Sequence, residues 1–337
     1  MKAAVFQALH QPLAIETIDD PTPGEGEVVV RVGRCGICGS DLHMSEDPAF
    51  GVHSGAVLGH EFAGEVVALG KGVGRIRTGD LVSVVPLRSC GHCPTCLAGE
   101  PAWCAQMALQ GGGYAEYAKT GEQQCVLLPR STSLADGAIV EPLAVALHGV
   151  MLSGIKAGDK VLVLGAGPIG LAAAYWARAL GAAKVAVQDI VRHQQARALE
   201  MGATAFVCDP DEPAAASDRA LGGKADIVFE CVGIPGLIAQ AIDQVRIKGT
   251  VLILGLCTQP DTFVPFAALS KEVRLITSAF FKRQEYEMAL DALDAGRAEP
   301  RLLVTDTVPL DAVPTTFEAL KKRTHQCKVL IAPGESG

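Results

Sequence analysis

Up to about residue 140 the apolar positions come in short runs, each closed by Gly or Pro. Glu27–Val32, Ala63–Leu69 and Asp80–Val85 carry β-branched, strand-like patterns, and Gly113–Ala118 is a weaker one. Turn clusters such as Pro21-Thr22-Pro23-Gly24 and Gly70-Lys71-Gly72-Val73-Gly74 separate them. Many short strands with frequent turns predict a small barrel-like or sandwich domain.

The pattern changes at about residue 143. Lys160–Leu164 is a continuous apolar strand, followed by a Gly-rich turn and a helical stretch, Leu171–Leu180. Lys184–Gln188 reads as the next strand and His193–Met201 as the next helix, closed by Gly202; Ala225–Phe229 and Thr250–Leu254 continue the series. Alternating strands and helices, with the strands apolar throughout, predict an α/β fold with a doubly wound parallel sheet covered on both faces. Pro210–Ala220 reads as a polar connection. Beyond about residue 281 an amphipathic stretch, Gln284–Ala295, leads to a strand-like tail, Cys327–Ile331, expected to return to the first domain. The expected division is 1–142, 143–280 and 281–337, with the last segment rejoining the first.

Composition narrows the class. A chain of 337 residues is too long for one ordinary core. Its 49% hydrophobic and 20% charged residues are those of a globular protein. A formal net charge of −8 argues against nucleic acid as a partner. No uninterrupted apolar run approaches the roughly 18 residues of a membrane span. The N-terminus turns polar by Gln7, without a signal-peptide core, so the expected compartment is the cytoplasm. There the 11 cysteines are expected to be mostly reduced. Cys35, Cys125, Cys208, Cys231, Cys257 and Cys327 are scattered and read as small buried hydrophobes.

Gly165-Ala166-Gly167-Pro168-Ile169-Gly170 is a G-x-G-x-x-G between a buried strand and a helix, the context that gives this weak pattern meaning. The first Gly permits a tight turn, the second lets backbone approach a pyrophosphate, and the third allows close packing of helix on strand. The helix N-terminus offers N–H groups to the phosphates. Asp189, 19 residues past Gly170, can accept both adenosine ribose hydroxyls and repels a 2′-phosphate, which favours NAD over NADP. Arg192 is the counter-indication, and a structural turn without cofactor is the plain alternative.

Two metal-ligand patterns follow. Cys90-x-x-Cys93-x-x-Cys96-x7-Cys104 can converge on one tetrahedral ion and close its shell, which predicts a structural zinc lobe at about 88–106. A loop with so little apolar material would draw its folding energy from the metal. The second pattern is mixed. Cys38, His60 and Glu61, with Glu141 as a fourth candidate, offer the thiolate, imidazole and carboxylate of an open, working zinc site. The bland readings are a hydrogen-bonded core histidine for His60, a supporting carboxylate for Glu61 and a hinge carboxylate for Glu141. His10, His53, His92, His193 and His325 show no ligand spacing.

The segments Cys35–His43, Gly59-His60-Glu61, the four-cysteine loop, Val140–His148, Gly165–Gly170, Phe229–Gly233 and Lys328–Ile331 together resemble the zinc-dependent medium-chain alcohol dehydrogenases. The likeness is greatest to their polyol and secondary-alcohol branch, which includes butanediol, sorbitol and threonine dehydrogenases. It implies a Rossmann domain plus a GroES-like, mainly β catalytic domain. It also implies Cys38, His60 and Glu141 as ligands of catalytic zinc, and Glu61 as a ligand that comes and goes. Ser40 would match the hydroxyl that touches the alcohol, and His43 the end of a proton relay; Cys35 becomes a bystander. Asp189 stands where butanediol-like members usually have Glu. Two departures bear on substrate: the chain is short between Cys104 and Gly111, and the Met44–Val57 loop matches no one substrate class.

The implied activity is hydride transfer between NAD(H) and a secondary alcohol, diol or polyol, with zinc in both a catalytic and a structural role. A homo-tetramer is the implied assembly, with a dimer next. The alternatives are a primary-alcohol or aldehyde-processing zinc dehydrogenase and, from another class, a non-catalytic dinucleotide-binding module.

Overall fold

A computed structural model describes residues 1–322 and 325–334. The chain forms two compact units. The first holds Met1–Glu141, Lys282–Arg297 and the segment from Val304 onward; the second holds Pro142–Phe281 and Ala298–Leu303.

The first unit is built on a seven-stranded sheet. Its strand order is Val304–Pro309, Lys328–Ala332, Glu27–Gly36, Glu61–Leu69, Leu81–Val84 and Cys125–Leu127, with Tyr117–Gly121 pairing on Glu27–Gly36 as well. Glu27–Gly36 is the hub because its 10 residues are long enough to pair with three partners. Val28, Val30, Val32, Val66, Val82, Val84 and Phe62 fill the core beside it, and Val329 and Ile331 of the tail strand complete that core. Register matters here: Gly36 lies opposite both Glu61 and Leu330, so the tail strand reaches the strand that begins at Glu61.

The second unit carries six parallel strands. Their order is Ala205–Val207, Lys184–Gln188, Lys160–Leu164, Ala225–Glu230, Val245–Ile253 and Arg274–Thr277. The strand order reverses direction beside Lys160–Leu164, the place where open α/β sheets bind ligands. Val161, Val163, Val185, Val187, Val228 and Phe229 are buried, as strands covered on both faces require. The helix Pro168–Ala179 has Gly167 as its N-cap and Pro168 in its first turn, where a missing N–H costs nothing.

Three segments depart from the sequence reading. Pro210–Ala220 is not merely a connection, because Pro213–Leu221 is a helix that buries Ser217 and Leu221 and ends on Gly222 at φ 69°. A parallel crossover requires a covering element, and three successive alanines suffice to form one despite the weak apolar stripe. Leu134–Leu152 forms a single helix with Pro142 inside it. It is apolar and long enough to cross a bilayer by length and composition, yet 78% of its apolar window is buried inside the protein, as in a core helix. Asp136, Glu141 and His148 interrupt the apolar run and hide it from a simple count. Finally, the strand expected at Gly113–Ala118 begins only at Tyr117. Among the scattered cysteines, Cys35, Cys125 and Cys327 are buried, but Cys257 is exposed rather than a buried hydrophobe, because it lies outside any strand or helix past the end of Val245–Ile253.

At the Gly-rich turn, a Cβ on Gly170 would stand 2.0 Å from the Gly165 carbonyl oxygen, and backbone cannot yield as a side chain can. Gly170→Ala is therefore expected to destabilise the protein by about 1–3 kcal/mol, an overpacking cost. A lowered urea midpoint at unchanged slope checks it.

Candidate metal and cofactor sites

The mixed site grows from the end of the hub strand. After Gly36 the chain turns into a short helix, Gly39–Met44, with Cys38 as its N-cap. The Cys38 N–H donates to Asp41 Oδ2 at 3.2 Å, which fixes the turn and aims the thiol inward. His60 and Glu61 stand at the start of the neighbouring strand. Ligand atoms of Cys38, His60 and Glu61 all lie within 4.8 Å of one another. The Ser40 hydroxyl donates to Cys38 Sγ at 3.2 Å, beside the ligand set. His43 lies near the other end of the helix, half-buried. Glu141 is buried and electrostatically linked to His60, Glu61 and Lys328, but it is not one of the three converging groups.

Three further residues complete the site, and sequence reasoning did not single them out. Lys328 is buried, with Nζ 2.7 Å from each Glu61 oxygen and 3.0 Å from the Ile37 carbonyl oxygen. Asp41, 1% exposed, presents Oδ1 to His60 Nδ1 at 3.3 Å. Tyr114 donates its hydroxyl to Asp41 Oδ2 at 2.6 Å. A lysine in an apolar strand, Lys328-Val329-Leu330-Ile331, was the available signal for the first, since such a charge is buried only when paired. Gly36 makes room for the pair, because a Cβ there would lie 2.0 Å from Glu61 Oε2.

Electrostatics follow from burial and partners. Burial would lower the His60 imidazole, but the Asp41 charge and hydrogen bond hold it well above its ordinary value. Burial would raise the Asp41 carboxyl, but His60, the Tyr114 hydroxyl and the Cys38 N–H hold it below the usual carboxylate range. Burial would also lower Lys328, and the Glu61 charge more than offsets it. Glu141 has no such close partner; burial pushes its carboxyl up to about 7, with His60 and Lys328 pulling the other way. The donor set suits a borderline metal: soft sulfur, imidazole nitrogen held by a carboxylate on its other face, and oxygen.

The second cluster is all thiolate. Cys90, Cys93, Cys96 and Cys104 are free and lie within 4.8 Å of one another. The sulfurs of Cys93 and Cys96 are 3.5 Å apart and those of Cys90 and Cys96 are 3.9 Å apart. A tetrahedron with metal–sulfur bonds of about 2.3 Å has edges of about 3.8 Å, so the sulfurs fit one zinc. The Thr95 hydroxyl and the Cys96 N–H lower the Cys93 thiol to about 6, and the Cys90 and Gln106 N–H groups lower Cys104. These donors favour the thiolate, the form a metal takes. The lobe is also anchored: the Arg283 N–H donates to the Gly99 carbonyl at 2.8 Å, and Lys282 pairs with Glu100 at 2.7 Å.

In the second unit, Gly165, Gly167, Pro168, Ile169 and Gly170 form the turn and first helical residues after the Lys160–Leu164 strand. Asp189 ends the next strand with its carboxylate at this turn, accepting the Ala166 N–H at 2.8 Å and the Val191 N–H at 3.1 Å. Arg192, the residue suited to a 2′-phosphate, donates instead to Gln195 at 3.1 Å and to the Cys208 carbonyl at 3.3 Å. The Gly-rich turn and the Asp189 carboxylate thus stand together, an arrangement that could hold a dinucleotide.

A mixed metal site in a strand-rich unit, carried on one chain with a dinucleotide cradle, is the arrangement of a metal-dependent dehydrogenase. Residues 24–130 match the family model for the alcohol dehydrogenase GroES-like domain, and residues 168–295 match that for zinc-binding dehydrogenase. The chain is 34% identical to (R,R)-butanediol dehydrogenase of Bacillus subtilis, covering 99% of this chain and 100% of that protein. It is 31% identical to sorbitol dehydrogenase of the same organism, over 99% and 97%. An alcohol dehydrogenase of Escherichia coli CFT073, solved with the cofactor NADH, superposes with a TM-score of 0.89 at 29% identity over 99% of each chain. The chain belongs to the zinc-dependent medium-chain alcohol dehydrogenases, with the GroES-like and Rossmann domains of that family.

Removing one partner of a buried ion pair strands the other charge. Lys328→Met is expected to destabilise the metal-free protein by about 3–5 kcal/mol. Adding Glu61→Gln should restore a large part of this; equilibrium denaturation of the two variants in chelator checks it.

Proposed function

We propose that this protein oxidises a secondary alcohol, diol or polyol reversibly to the ketone, with NAD as hydride acceptor. The convergence of Cys38, His60 and Glu61 in one chain with the Gly165–Gly170 cradle and Asp189 carries this reading. The similarity to butanediol and sorbitol dehydrogenases supports the substrate class.

When bound, zinc supplies Lewis acidity toward the substrate oxygen and NAD accepts the hydride. Cys38 and His60 are the ligands proposed for catalytic zinc, with a carboxylate from Glu141 or Glu61. Lys328 already neutralises Glu61, which favours Glu141 as the resting ligand and leaves Glu61 to exchange. Ser40 Oγ would accept the alcohol proton as it gives up its own, and His43 would carry a proton onward to solvent. Asp189 holds the adenosine ribose, and its charge disfavours a 2′-phosphate. Cys90, Cys93, Cys96 and Cys104 hold a structural zinc with no position left open for chemistry.

We further propose a cytoplasmic homo-oligomer, a tetramer or else a dimer. Arg274–Thr277 is an edge strand of the six-stranded sheet. Leu275 on that strand, and Val264, Phe266 and Leu269 in and at the start of the preceding helix Pro265–Leu269, are exposed. An apolar edge of this kind invites pairing with a second copy.

Two measurements test these readings. Metal analysis should find two zincs per chain, and a panel of diols, polyols, cyclic alcohols, threonine and primary alcohols, run with NAD and with NADP, should show turnover on secondary alcohols with NAD. Cys38→Ser should abolish turnover and leave NAD binding nearly intact. One zinc confined to the thiolate lobe, with no turnover, would instead indicate a dinucleotide-binding module. For assembly, Leu275→Lys with Phe266→Asp should shift the light-scattering mass to that of a smaller species; an unchanged mass would place the contact elsewhere.

A further inference from the structure

Tyr114 lies three residues ahead of the strand Tyr117–Gly121 and fully inside the first unit's core. Its ring is held from two sides. A Cβ on Gly59 would meet it at 2.3 Å, so the ring rests directly on the backbone before His60. Phe317 meets it edge-on, with centroids 6.3 Å apart and planes at 78°. A phenylalanine would satisfy all of this. The hydroxyl does something else: it donates at 2.6 Å to Asp41 Oδ2, while Asp41 Oδ1 faces His60 Nδ1 at 3.3 Å. Burial and the Asp41 charge push the Tyr114 hydroxyl well up, so it stays protonated and remains a donor.

A carboxylate between two donors has little rotational freedom. With Oδ2 occupied by the tyrosine hydroxyl and the Cys38 N–H, Oδ1 is left facing His60 Nδ1 at 3.3 Å, where it favours a proton on that nitrogen. Neutral His60 then has its proton on Nδ1 and its lone pair on Nε2, the atom free to bind metal. The same Asp41 oxygen that receives the tyrosine also receives the N–H of Cys38, so one carboxylate orients two ligands.

We propose that Tyr114 is a positioning residue for the metal site, whose hydroxyl acts through Asp41 to fix the ring orientation and tautomer of His60. The proposal rests on the zinc reading above. It concerns the chain's preparation for metal, not the chemical step, so its test reads metal binding.

The experiment uses the full-length chain with zinc retained in the thiolate lobe and the mixed site emptied by mild chelation. Zinc affinity of the mixed site is measured by chelator competition, and the visible spectrum of cobalt bound there reports ligand geometry. Asp41→Asn is expected to weaken zinc by about 10–100-fold, the usual cost of losing a partner behind a metal-bound histidine. Tyr114→Phe, one hydrogen bond further out, should weaken it by about 3–10-fold and alter the cobalt spectrum. In the Asp41→Asn background Tyr114→Phe should cost nothing more, because its effect passes through that carboxylate. Unchanged affinity and spectrum in Tyr114→Phe would overturn the proposal and leave the tyrosine a core-filling residue. Losses that multiply in the double variant would overturn it too. A wild-type chain that takes up no metal at the mixed site would overturn the zinc reading itself.

Discussion

The buried pair of Lys328 and Glu61 is the constraint around which the first unit is organised. A lysine and a glutamate out of water are tolerable only if they meet at hydrogen-bond distance, and here Nζ is 2.7 Å from each oxygen. That geometry demands a particular register, with Gly36 facing Glu61 on one side and Leu330 on the other. It also demands a residue without a side chain at position 36. Sheet pairing, a glycine and an ion pair are thus one requirement stated three times. The candidate metal ligands inherit it, since Cys38 follows Gly36 by two residues and His60 precedes Glu61 by one.

Charge in this region is balanced locally instead of being exposed. Asp41 and His60 oppose each other, Lys328 opposes Glu61, and Glu141 is the carboxylate left without a close cation, which is why burial lifts it to about 7. The thiolate lobe works differently. Backbone N–H groups donate to the Cys90 and Cys104 sulfurs, and the Thr95 hydroxyl meets that of Cys93. One site is tuned by long-range pairs and the other by its own loop.

That difference explains what could be read from sequence. The four-cysteine lobe and the Gly165–Gly170 turn are local, so spacing and flanking elements suffice to find them. Cys38, His60 and Glu61, which the fold brings together, were legible for the same reason, as two short segments. Lys328, Asp41 and Tyr114 were not, because the partners that draw them to the site lie 19 to 291 residues away in the chain. Secondary structure failed in the same manner. Pro213–Leu221 is helical because a crossover must cover the sheet, and Leu134–Leu152 continues through Pro142 because its surroundings bury it on most sides. In each case tertiary packing overrode the local signal.

The strand carrying Lys328 is made some 267 residues after Glu61. During synthesis the segment with Cys38, His60 and Glu61 emerges early, along with the strands that flank it. Until Lys328–Ala332 docks, the hub strand lacks that partner and Glu61 lacks its buried cation. Contacts this distant in sequence form late, after their loop-closure cost has been met. The buried pair that steadies the start of the Glu61–Leu69 strand therefore forms only when a strand 267 residues away in the chain has docked.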